Sequence, residues 1–119
     1  MRVALISDIH GNLAALQAVL ADIAHTGVDQ MVFLGDVATL GPQPKAVVDL
    51  LRTLHCPCVK GNHDAYTVSL PQFLQDNHAA WAKETIAWCV AQLSAADLTF
   101  LDSFHATWQL ELDPDKPEM

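Results

Sequence analysis

The sequence predicts an α/β domain with a parallel sheet, because strand and helix patterns alternate along its first part. Short apolar runs typical of buried strands occur at residues 3–7, 30–34 and 58–60. Segments with the apolar spacing of helices lie between them, at 12–26 and 44–54. Strands and helices in this order build right-handed parallel βαβ units. The polar residues that follow each strand are then expected at one edge of the sheet.

Both predicted helices carry start and end signals. Asn12 is a suitable N-cap for the first helix, and Gly27 can end it. Pro44 fits the first position of the second helix, where a backbone N–H is not needed. The apolar stripes that would face the core are Leu13, Leu16, Leu20 and Ile23 in the first helix and Val47, Val48, Leu51 and Leu54 in the second.

The patterns after residue 64 are less regular. Residues 65–75 look irregular, and residues 76–93 look helical. Ser94 and Asp97 have the spacing of a capping box, which indicates the start of another helix. These signals predict two helices after the βαβ units.

The end of the chain predicts one more strand and a frayed tail. Apolar and polar residues alternate through 107–112, so this segment is expected to form a strand with one buried face. Residues 113–119 contain two prolines and no apolar periodicity, and we expect them to fray. A length of 119 residues fits one domain, so residues 1–119 are expected to be a single unit.

Composition argues against several classes of partner. The net charge of −8 and the lack of a Lys or Arg cluster argue against a nucleic-acid polymer. No apolar run reaches the roughly eighteen residues of a membrane span, and the start lacks a signal-peptide pattern, so we expect a cytoplasmic protein without membrane contact. The three cysteines, at 56, 58 and 89, lack common zinc or redox spacing and are expected to be reduced, structural thiols.

A polar motif follows each of the three predicted strands. The first strand is followed by Asp8 and His10, which can grip one metal ion between a carboxylate oxygen and an imidazole nitrogen. Asp36 follows the second strand and can place a carboxylate between two ions. A mixed set of oxygen and nitrogen ligands suits Mn, Fe, Zn or Ni better than Ca. The sequence therefore predicts a transition-metal site.

The third motif adds a ligand and two candidate catalytic groups. Asn62 can offer an amide oxygen to a second ion, and His63 is free to face a substrate. Asp64 can bind an imidazole nitrogen and hold one tautomer. A single Asp or Asn after a strand is most often a turn or cap residue. Three such motifs with two histidines are hard to explain as turns, because turns have no need of histidine.

These motifs resemble those of a known family. Ser7–Asn12, Gly35-Asp36 and Gly61–Asp64 resemble the first three motif blocks of the calcineurin-like metallophosphoesterases. Within that superfamily, Asp8–Leu16 and Gly41-Pro42 resemble the small bacterial phosphodiesterase branch. The resemblance covers roughly residues 1–112. It implies an αββα sandwich, in which two sheets lie face to face with helices outside and a dinuclear metal centre lies at one edge.

The resemblance also implies roles for the site residues. Asp8 and His10 would bind the first metal, Asp36 would bridge both metals, and Asn62 would bind the second. His63 would donate a proton to the leaving group, with Asp64 as the residue that orients it. The implied reaction is hydrolysis of a small phosphate mono- or diester, by in-line attack of a hydroxide that the metals activate.

One part of the family pattern is missing. The second half of the family supplies further ligands, typically a single histidine after one strand and a Gly-His-x-His block after another, and neither occurs in this sequence. We therefore expect an incomplete sandwich and a weakened second metal site. The uncovered sheet is expected to pair with a second copy or with another polypeptide. The alternative is a truncated remnant with little or no activity, which binds metal and acts through self-association.

Overall fold

A small parallel sheet forms the centre of the computed structural model, which describes residues 1–111. Strands β1 (Val3–Ile6) and β2 (Gln30–Phe33) are parallel, with Val3 opposite Gln30 and Ile6 opposite Phe33. The predicted third strand at 58–60 is reduced to two isolated parallel bridges, from Phe33 to Cys58 and from Val59 to His105. The predicted parallel pairing is thus confirmed, and the third segment extends it only locally.

The first two helices are confirmed close to their predicted bounds. Helix α1 (Leu13–Thr26) begins after Asn12, whose side chain accepts a hydrogen bond from the backbone N–H of Ala15 at 3.0 Å. It ends at Gly27, which has a φ of 76°. Helix α2 (Pro44–Leu54) has Pro44 in its first turn, as the sequence predicts.

Most of the core lies on one face of the two strands, although Val32, which pairs with Leu5 on the other face, is only 2% exposed. Ile6 and Phe33 face it, and buried residues of the two helices pack there. Side chains alternate between the faces of a strand, so Leu5 and Leu34 lie on the opposite face. There Leu5 is 63% exposed and Leu34 is 40% exposed. The main core residues are Ile6, Ile9, Leu16, Phe33, Val37, Val47, Val48, Leu51, Cys58 and Leu101.

The prediction of irregular structure at 65–75 is wrong. Two short helices occupy this part of the chain, α3 (Asn62–Val68) and α4 (Leu70–Gln75). The Asp64 side chain caps the start of α3 by accepting the N–H of Gly61 at 2.8 Å. Pro71 lies in the first turn of α4, where proline favours a new helix rather than continuation of the previous one. These local signals explain two helices with a break at Ser69.

Two further helices complete the described part of the chain. Helix α5 (Ala80–Ala91) is shorter at both ends than the predicted segment 76–93. Helix α6 (Ala95–Asp102) begins with the predicted capping box, in which the N–H of Asp97 bonds Ser94 Oγ and the N–H of Ser94 bonds the Asp97 carboxylate. Within the described residues, no helix combines the length and apolar character needed to cross a membrane.

The predicted strand at 107–112 is also wrong over the residues that are described. Residues 107–111 form no strand, and the pairing occurs earlier, at His105. The His105 N–H donates to the carbonyl of Cys58, and its own carbonyl accepts from Lys60. Trp108 stays partly exposed and packs its ring near His105. Residue 112 and the predicted frayed tail 113–119 lie outside the described residues.

Candidate metal centre

The loops that follow β1 and β2 are joined by backbone hydrogen bonds beyond the ends of the strands. The N–H of Asp8 donates to the carbonyl of Gly35 at 3.1 Å, and the N–H of His10 donates to the carbonyl of Asp36 at 3.0 Å. Gly11 continues the pattern, with its N–H 2.7 Å from the carbonyl of Val37. These bonds hold the first two polar motifs side by side at the carboxyl edge of the sheet.

Asp8, His10 and Asp36 form a group that could hold a metal ion. Each offers one ligand atom, and these atoms all lie within 4.8 Å of one another. The set contains two carboxylate oxygens and one imidazole nitrogen, which suits a divalent transition metal. The residues present therefore fit the cation that the sequence predicts.

The same three residues adopt an uncommon backbone conformation. The φ angles are 60° at Asp8, 49° at His10 and 59° at Asp36, all in the left-handed region. Residues other than glycine rarely adopt it, and strain of this kind costs on the order of 1–3 kcal/mol per residue. Strained residues of this type cluster at functional sites. Among the described residues, two other non-glycine residues, Leu40 and His55, share this conformation, so three of the five lie at the candidate site.

Asp8 is poised to carry a negative charge. A hydrogen bond from the Ser7 hydroxyl lowers the pKa of its carboxyl, and the His10 imidazole lowers the pKa further. Asp8 Oδ1 lies 3.2 Å from His10 Nε2. The carboxylate is exposed, so a cation could reach it from solvent.

The orientation of the His10 ring is set by a backbone carbonyl. His10 Nδ1 lies 3.2 Å from the carbonyl oxygen of Thr39. A carbonyl can only accept a hydrogen bond, so this contact favours a proton on Nδ1, whereas the Asp8 carboxylate favours a proton on Nε2. A cation held between Asp8 and Nε2 would leave the proton on Nδ1, a division of roles that is common for metal-binding histidine.

The third motif lies against Asp36. Asp36 Oδ1 accepts a hydrogen bond from the backbone N–H of His63 at 3.0 Å. A side chain at Gly61 would place its Cβ 2.3 Å from the same oxygen, so only glycine allows this approach. Asn62 is exposed beside this contact, and its Nδ2 lies 3.4 Å from the Tyr66 hydroxyl.

The His63 ring lies next to the predicted metal ligands. Its centroid is 5.0 Å from that of His10, in an edge-to-face arrangement, and 5.3 Å from that of Tyr66. His63 Nδ1 lies 2.9 Å from the hydroxyl oxygen of Thr39. Burial lowers the pKa of His63, although nearby carboxylates, Asp36 first, oppose the effect. The neutral ring is therefore favoured at neutral pH.

Asp64 has different contacts from those predicted for it. The sequence places it as a partner of an imidazole, whereas its carboxylate accepts three backbone N–H groups. Oδ2 accepts from Asp36 and Gly61, both at 2.8 Å, and Oδ1 accepts from Val37 at 3.0 Å. Burial raises the pKa of this carboxyl, and the backbone hydrogen bonds partly oppose the shift. Asp64 therefore organises the loops, and Thr39 takes the place beside His63.

Thr39 and Tyr66 are site residues that the sequence analysis did not identify. Thr39 follows Asp36 by three residues in the same loop, but nothing local indicates that it contacts two histidines. Tyr66 follows Asn62 by four residues, a spacing that brings side chains together on a helix. Prediction of helix α3 would have identified that pair.

The other four histidines lie elsewhere. His25 lies in the last turn of α1, and His55 directly follows α2. His78 stacks on Phe73 with 4.2 Å between ring centroids, and His105 takes part in the bridge to Val59. Within residues 1–111, the one group of acidic, histidine and cysteine side chains close enough to hold a metal contains none of these four.

The structure shows an α/β fold with a group of residues that could hold a metal ion, and comparison with known proteins identifies the family. The calcineurin-like phosphoesterase family matches residues 1–106. The chain therefore belongs to the calcineurin-like phosphoesterase family. An uncharacterised protein of Methanocaldococcus jannaschii is 42% identical over 101 residues, which are 85% of this chain and 41% of that protein.

Solved structures extend this similarity to the fold. A metallophosphoesterase from Sphaerobacter thermophilus is 37% identical with a TM-score of 0.67, over 87% of this chain and 41% of that one. A protein provisionally named a diadenosine tetraphosphatase is 31% identical with a TM-score of 0.66, over 87% and 42%. A protein from Pyrococcus horikoshii, 20% identical with a TM-score of 0.78 over 87% and 48%, shares the fold.

The chain spans less than half the length of these relatives. This confirms that the sequence corresponds to the N-terminal part of the family fold, and that the sandwich is incomplete in this chain. The described structure agrees, because the sheet has two strands and one of its faces carries exposed leucines.

Proposed function

We propose that this chain takes part in the metal-dependent hydrolysis of phosphate mono- or diesters. The observation that carries the proposal is the convergence of Asp8, His10 and Asp36, whose ligand atoms lie within 4.8 Å of one another. Membership of the calcineurin-like phosphoesterase family supports the same class of reaction. The proposed setting is the cytoplasm, and the proposed substrate is a small phosphoester rather than a nucleic-acid polymer, because the chain carries a net charge of −8.

The metal ligands follow from the positions of the side chains. Asp8, His10 and Asp36 would hold one divalent transition metal, such as Mn, Fe, Zn or Ni. Asp36 and Asn62 would hold a second ion in a dinuclear centre, more weakly because two protein ligands are few. Bound cations of this kind neutralise charge on a phosphate group and lower the pKa of water.

His63 is the proposed proton donor to the leaving group. Its ring lies 5.0 Å from that of His10, so it is close to any substrate held at the metal ligands. Thr39 contacts Nδ1, so Nε2 of the protonated ring would be the nitrogen that faces a leaving oxygen. Asp64 supports this arrangement indirectly, since it fixes the backbone of Asp36 and Gly61.

The test is hydrolysis of bis(p-nitrophenyl) phosphate by the purified chain, with Mn²⁺ added and with a chelator. We expect activity with the metal, its loss with the chelator, and its loss in Asp36→Asn. Asp22→Asn is the matched control, because Asp22 is exposed on α1. Diadenosine tetraphosphate is the second probe, chosen from the provisional name of one relative. Inactivity toward both substrates with Mn, Fe, Zn and Ni would contradict the proposal.

The alternative function is a metal-binding remnant that acts through self-association. It is favoured by the apolar sheet face defined by Leu5 and Leu34, which are 63% and 40% exposed. A second copy of this chain is the proposed occupant. The matched segment is 85% of this chain and 41% of its relative, so two copies have about the length of one relative.

A further inference from the structure

Four partly exposed rings contact one another in series, starting at the candidate metal centre. The series begins at His10 and continues through His63 and Tyr66 to His78, with successive ring centroids 5.0, 5.3 and 5.2 Å apart. The planes of neighbouring rings are inclined by 84°, 66° and 60°, so the contacts are edge-to-face. These four residues are the aromatic row. Its outer two rings, Tyr66 and His78, have no part in the proposed metal binding or proton transfer.

The outer two rings of the aromatic row are held by a buried ring. Phe73 is 2% exposed and packs against Tyr66 and His78, with centroid distances of 4.6 and 4.2 Å and interplanar angles of 32° and 29°. Tyr66 lies on α3, Phe73 lies on α4, and His78 lies in the segment before α5. Three parts of the chain therefore fix this end of the row. A ligand that binds rings already held in place loses little affinity to their ordering.

We propose that Tyr66 and His78 bind a planar aromatic group on the leaving side of the substrate, such as the base of a nucleoside monophosphate. This inference rests on the proposed function, in which the phosphate lies at the metal ligands and His63 faces the leaving oxygen. Tyr66 is the next ring after His63 in the row. The group attached to the leaving oxygen therefore extends past His63 toward Tyr66 and His78.

The chemistry of the aromatic row favours a neutral ring over a second charged group. Aromatic side chains attract other planar rings through edge and face contacts, and base–aromatic stacking accepts any base. The net charge of −8 on the chain opposes the binding of an additional anionic group away from the metals. The substrate class is therefore a phosphoester with one phosphate at the metal ligands and an uncharged aromatic ring beyond it.

The test compares two ligands that differ in the presence of the base. They are the phosphonate analogues of adenosine 5′-monophosphate and of ribose 5-phosphate, in which a CH₂ group replaces the ester oxygen, so that neither is hydrolysed there. Calorimetry of the chain with Zn²⁺ measures both affinities. The adenosine compound should bind about tenfold more tightly, because its base can stack on the row. Equal affinity for the two compounds, or no binding of either, would overturn the proposal.

Variants assign this preference to the row. Tyr66→Leu keeps an apolar side chain but removes the ring, so the affinity for the adenosine compound should fall by about tenfold and that for the ribose compound should not change. Tyr66→Phe keeps the ring and should keep the preference.

Trp81→Leu is the matched control, since it removes a 66% exposed ring that lies on α5 outside the row. An unchanged preference in folded Tyr66→Leu would show that the rings serve packing alone and would overturn the proposal. Should Tyr66→Leu fail to fold, His78→Leu removes the outermost ring and decides the outcome by the same comparison.

Hydrolysis is measured separately, so that the two proposals can fail independently. In an active chain, Tyr66→Leu should raise KM for adenosine 5′-monophosphate by about tenfold with little change in kcat, because the base is held equally before and during the reaction. KM for ribose 5-phosphate should not change. A chain that prefers the adenosine phosphonate through Tyr66 but hydrolyses no ester contradicts the proposed function alone. Hydrolysis of both esters without a preference for the base contradicts the role of the row alone.

Discussion

The Asp64 carboxylate accepts a hydrogen bond from the backbone N–H of Asp36, with 2.8 Å between the two atoms. The same side chain also binds the N–H groups of Val37 and Gly61, so it fixes the backbone on both sides of the proposed bridging ligand. The sequence predicts that Asp64 orients a catalytic histidine, whereas its observed contacts join the two loops that carry Asp36 and Gly61.

Replacement of Asp64 by asparagine tests this support. One amide oxygen can still accept from Asp36 and Gly61, but the amide NH₂ would then face the N–H of Val37. A buried donor left without a partner costs about 1–3 kcal/mol, so the melting temperature should fall. Metal affinity should fall by about tenfold to a hundredfold, as when the partners of metal ligands are lost. Calorimetry with Mn²⁺ measures the affinity.

Asp102→Asn is the matched control for this substitution. Asp102 is exposed and pairs with Lys60 at 3.0 Å, an interaction worth less than about 1 kcal/mol. It should change neither metal binding nor melting by more than a small amount. Equal metal affinity in Asp64→Asn and the wild type would show that the loops do not depend on Asp64.

The role of His63 is tested by changing the leaving group. His63→Ala should lower kcat by about a hundredfold or more for a phenyl ester, whose leaving oxygen needs a proton. The effect on a p-nitrophenyl ester should be much smaller, because that oxygen leaves readily as an anion. His25→Ala, on the exposed end of α1, serves as the control. Equal losses for the two esters would exclude proton donation by His63.

Gly61 should tolerate no side chain. In Gly61→Ala the new Cβ would lie 2.3 Å from Asp36 Oδ1, so the Asp36 carboxylate or the loop must move. We expect metal affinity to drop below detection in calorimetry. Gly27→Ala is the control, since a Cβ there meets nothing within 4 Å, although a φ of 76° strains it by about 1 kcal/mol. Full metal binding by Gly61→Ala would mean that this close approach is not needed.

A buried carboxylate joins helix α6 to helix α2 away from the site. The Asp97 side chain has no exposure and accepts hydrogen bonds from Lys45 at 2.9 Å and from Arg52 at 3.2 Å. Burial alone would raise the pKa of Asp97, but the bonds from Lys45 and Ser94 outweigh burial and bring the pKa below its ordinary value of 3.8. The ionised form is therefore favoured in the folded state.

The lowered pKa of Asp97 predicts a specific pH dependence of the unfolding free energy. A carboxyl whose pKa is lower in the folded chain stabilises it above about pH 4, and the contribution is lost as pH falls through the folded pKa. Asp97→Asn should cost about 2 kcal/mol of unfolding free energy at pH 7, and less at about pH 3. Urea unfolding at both pH values measures this. Asp49→Asn is the control, since Asp49 forms an exposed pair with Lys45, and it should lower the unfolding free energy little at either pH. An equal loss of unfolding free energy at both pH values in Asp97→Asn would show that the ionisation of Asp97 does not stabilise the fold.

Self-association through the apolar sheet face is tested by sedimentation velocity. We expect a concentration-dependent dimer for the wild type and a monomer for Leu5→Lys, because a charge on the buried face of a dimer would be unpaired. Trp81→Lys is the control, since Trp81 is as exposed as Leu5 but lies on α5. A monomeric wild type at all concentrations would remove self-association, and with it the alternative function.

Local patterns in the sequence are sufficient for the βαβ part of the fold. Helix starts and ends are set by local signals at Asn12, Gly27 and Pro44. The observed limits of α1 and α2 agree closely with prediction. Parallel strands end at the same edge of a sheet, so polar residues that follow them are predicted to lie close together. Asp8, His10 and Asp36 do so. Their roles in metal binding stay predictions.

Contacts between distant residues account for what the sequence did not predict. Thr39 and His63 are 24 residues apart, and nothing near either residue encodes their hydrogen bond. The segment 107–111 alternates like a strand, but the backbone pairs at His105 instead. The three amides bound by Asp64 come from two separate loops, so its role depends on tertiary structure.

The left-handed backbone at Asp8, His10 and Asp36 limits which residues could replace them during evolution. A substitute must bear a metal-binding group and also tolerate a positive φ. Asp, Asn and His are the non-glycine residues enriched in that conformation, and they also carry suitable ligand atoms. Glutamate has the charge of aspartate without this backbone tolerance. Conservative exchange of one acid for another is therefore expected to fail at these positions, and the loops have very few substitutions open to them.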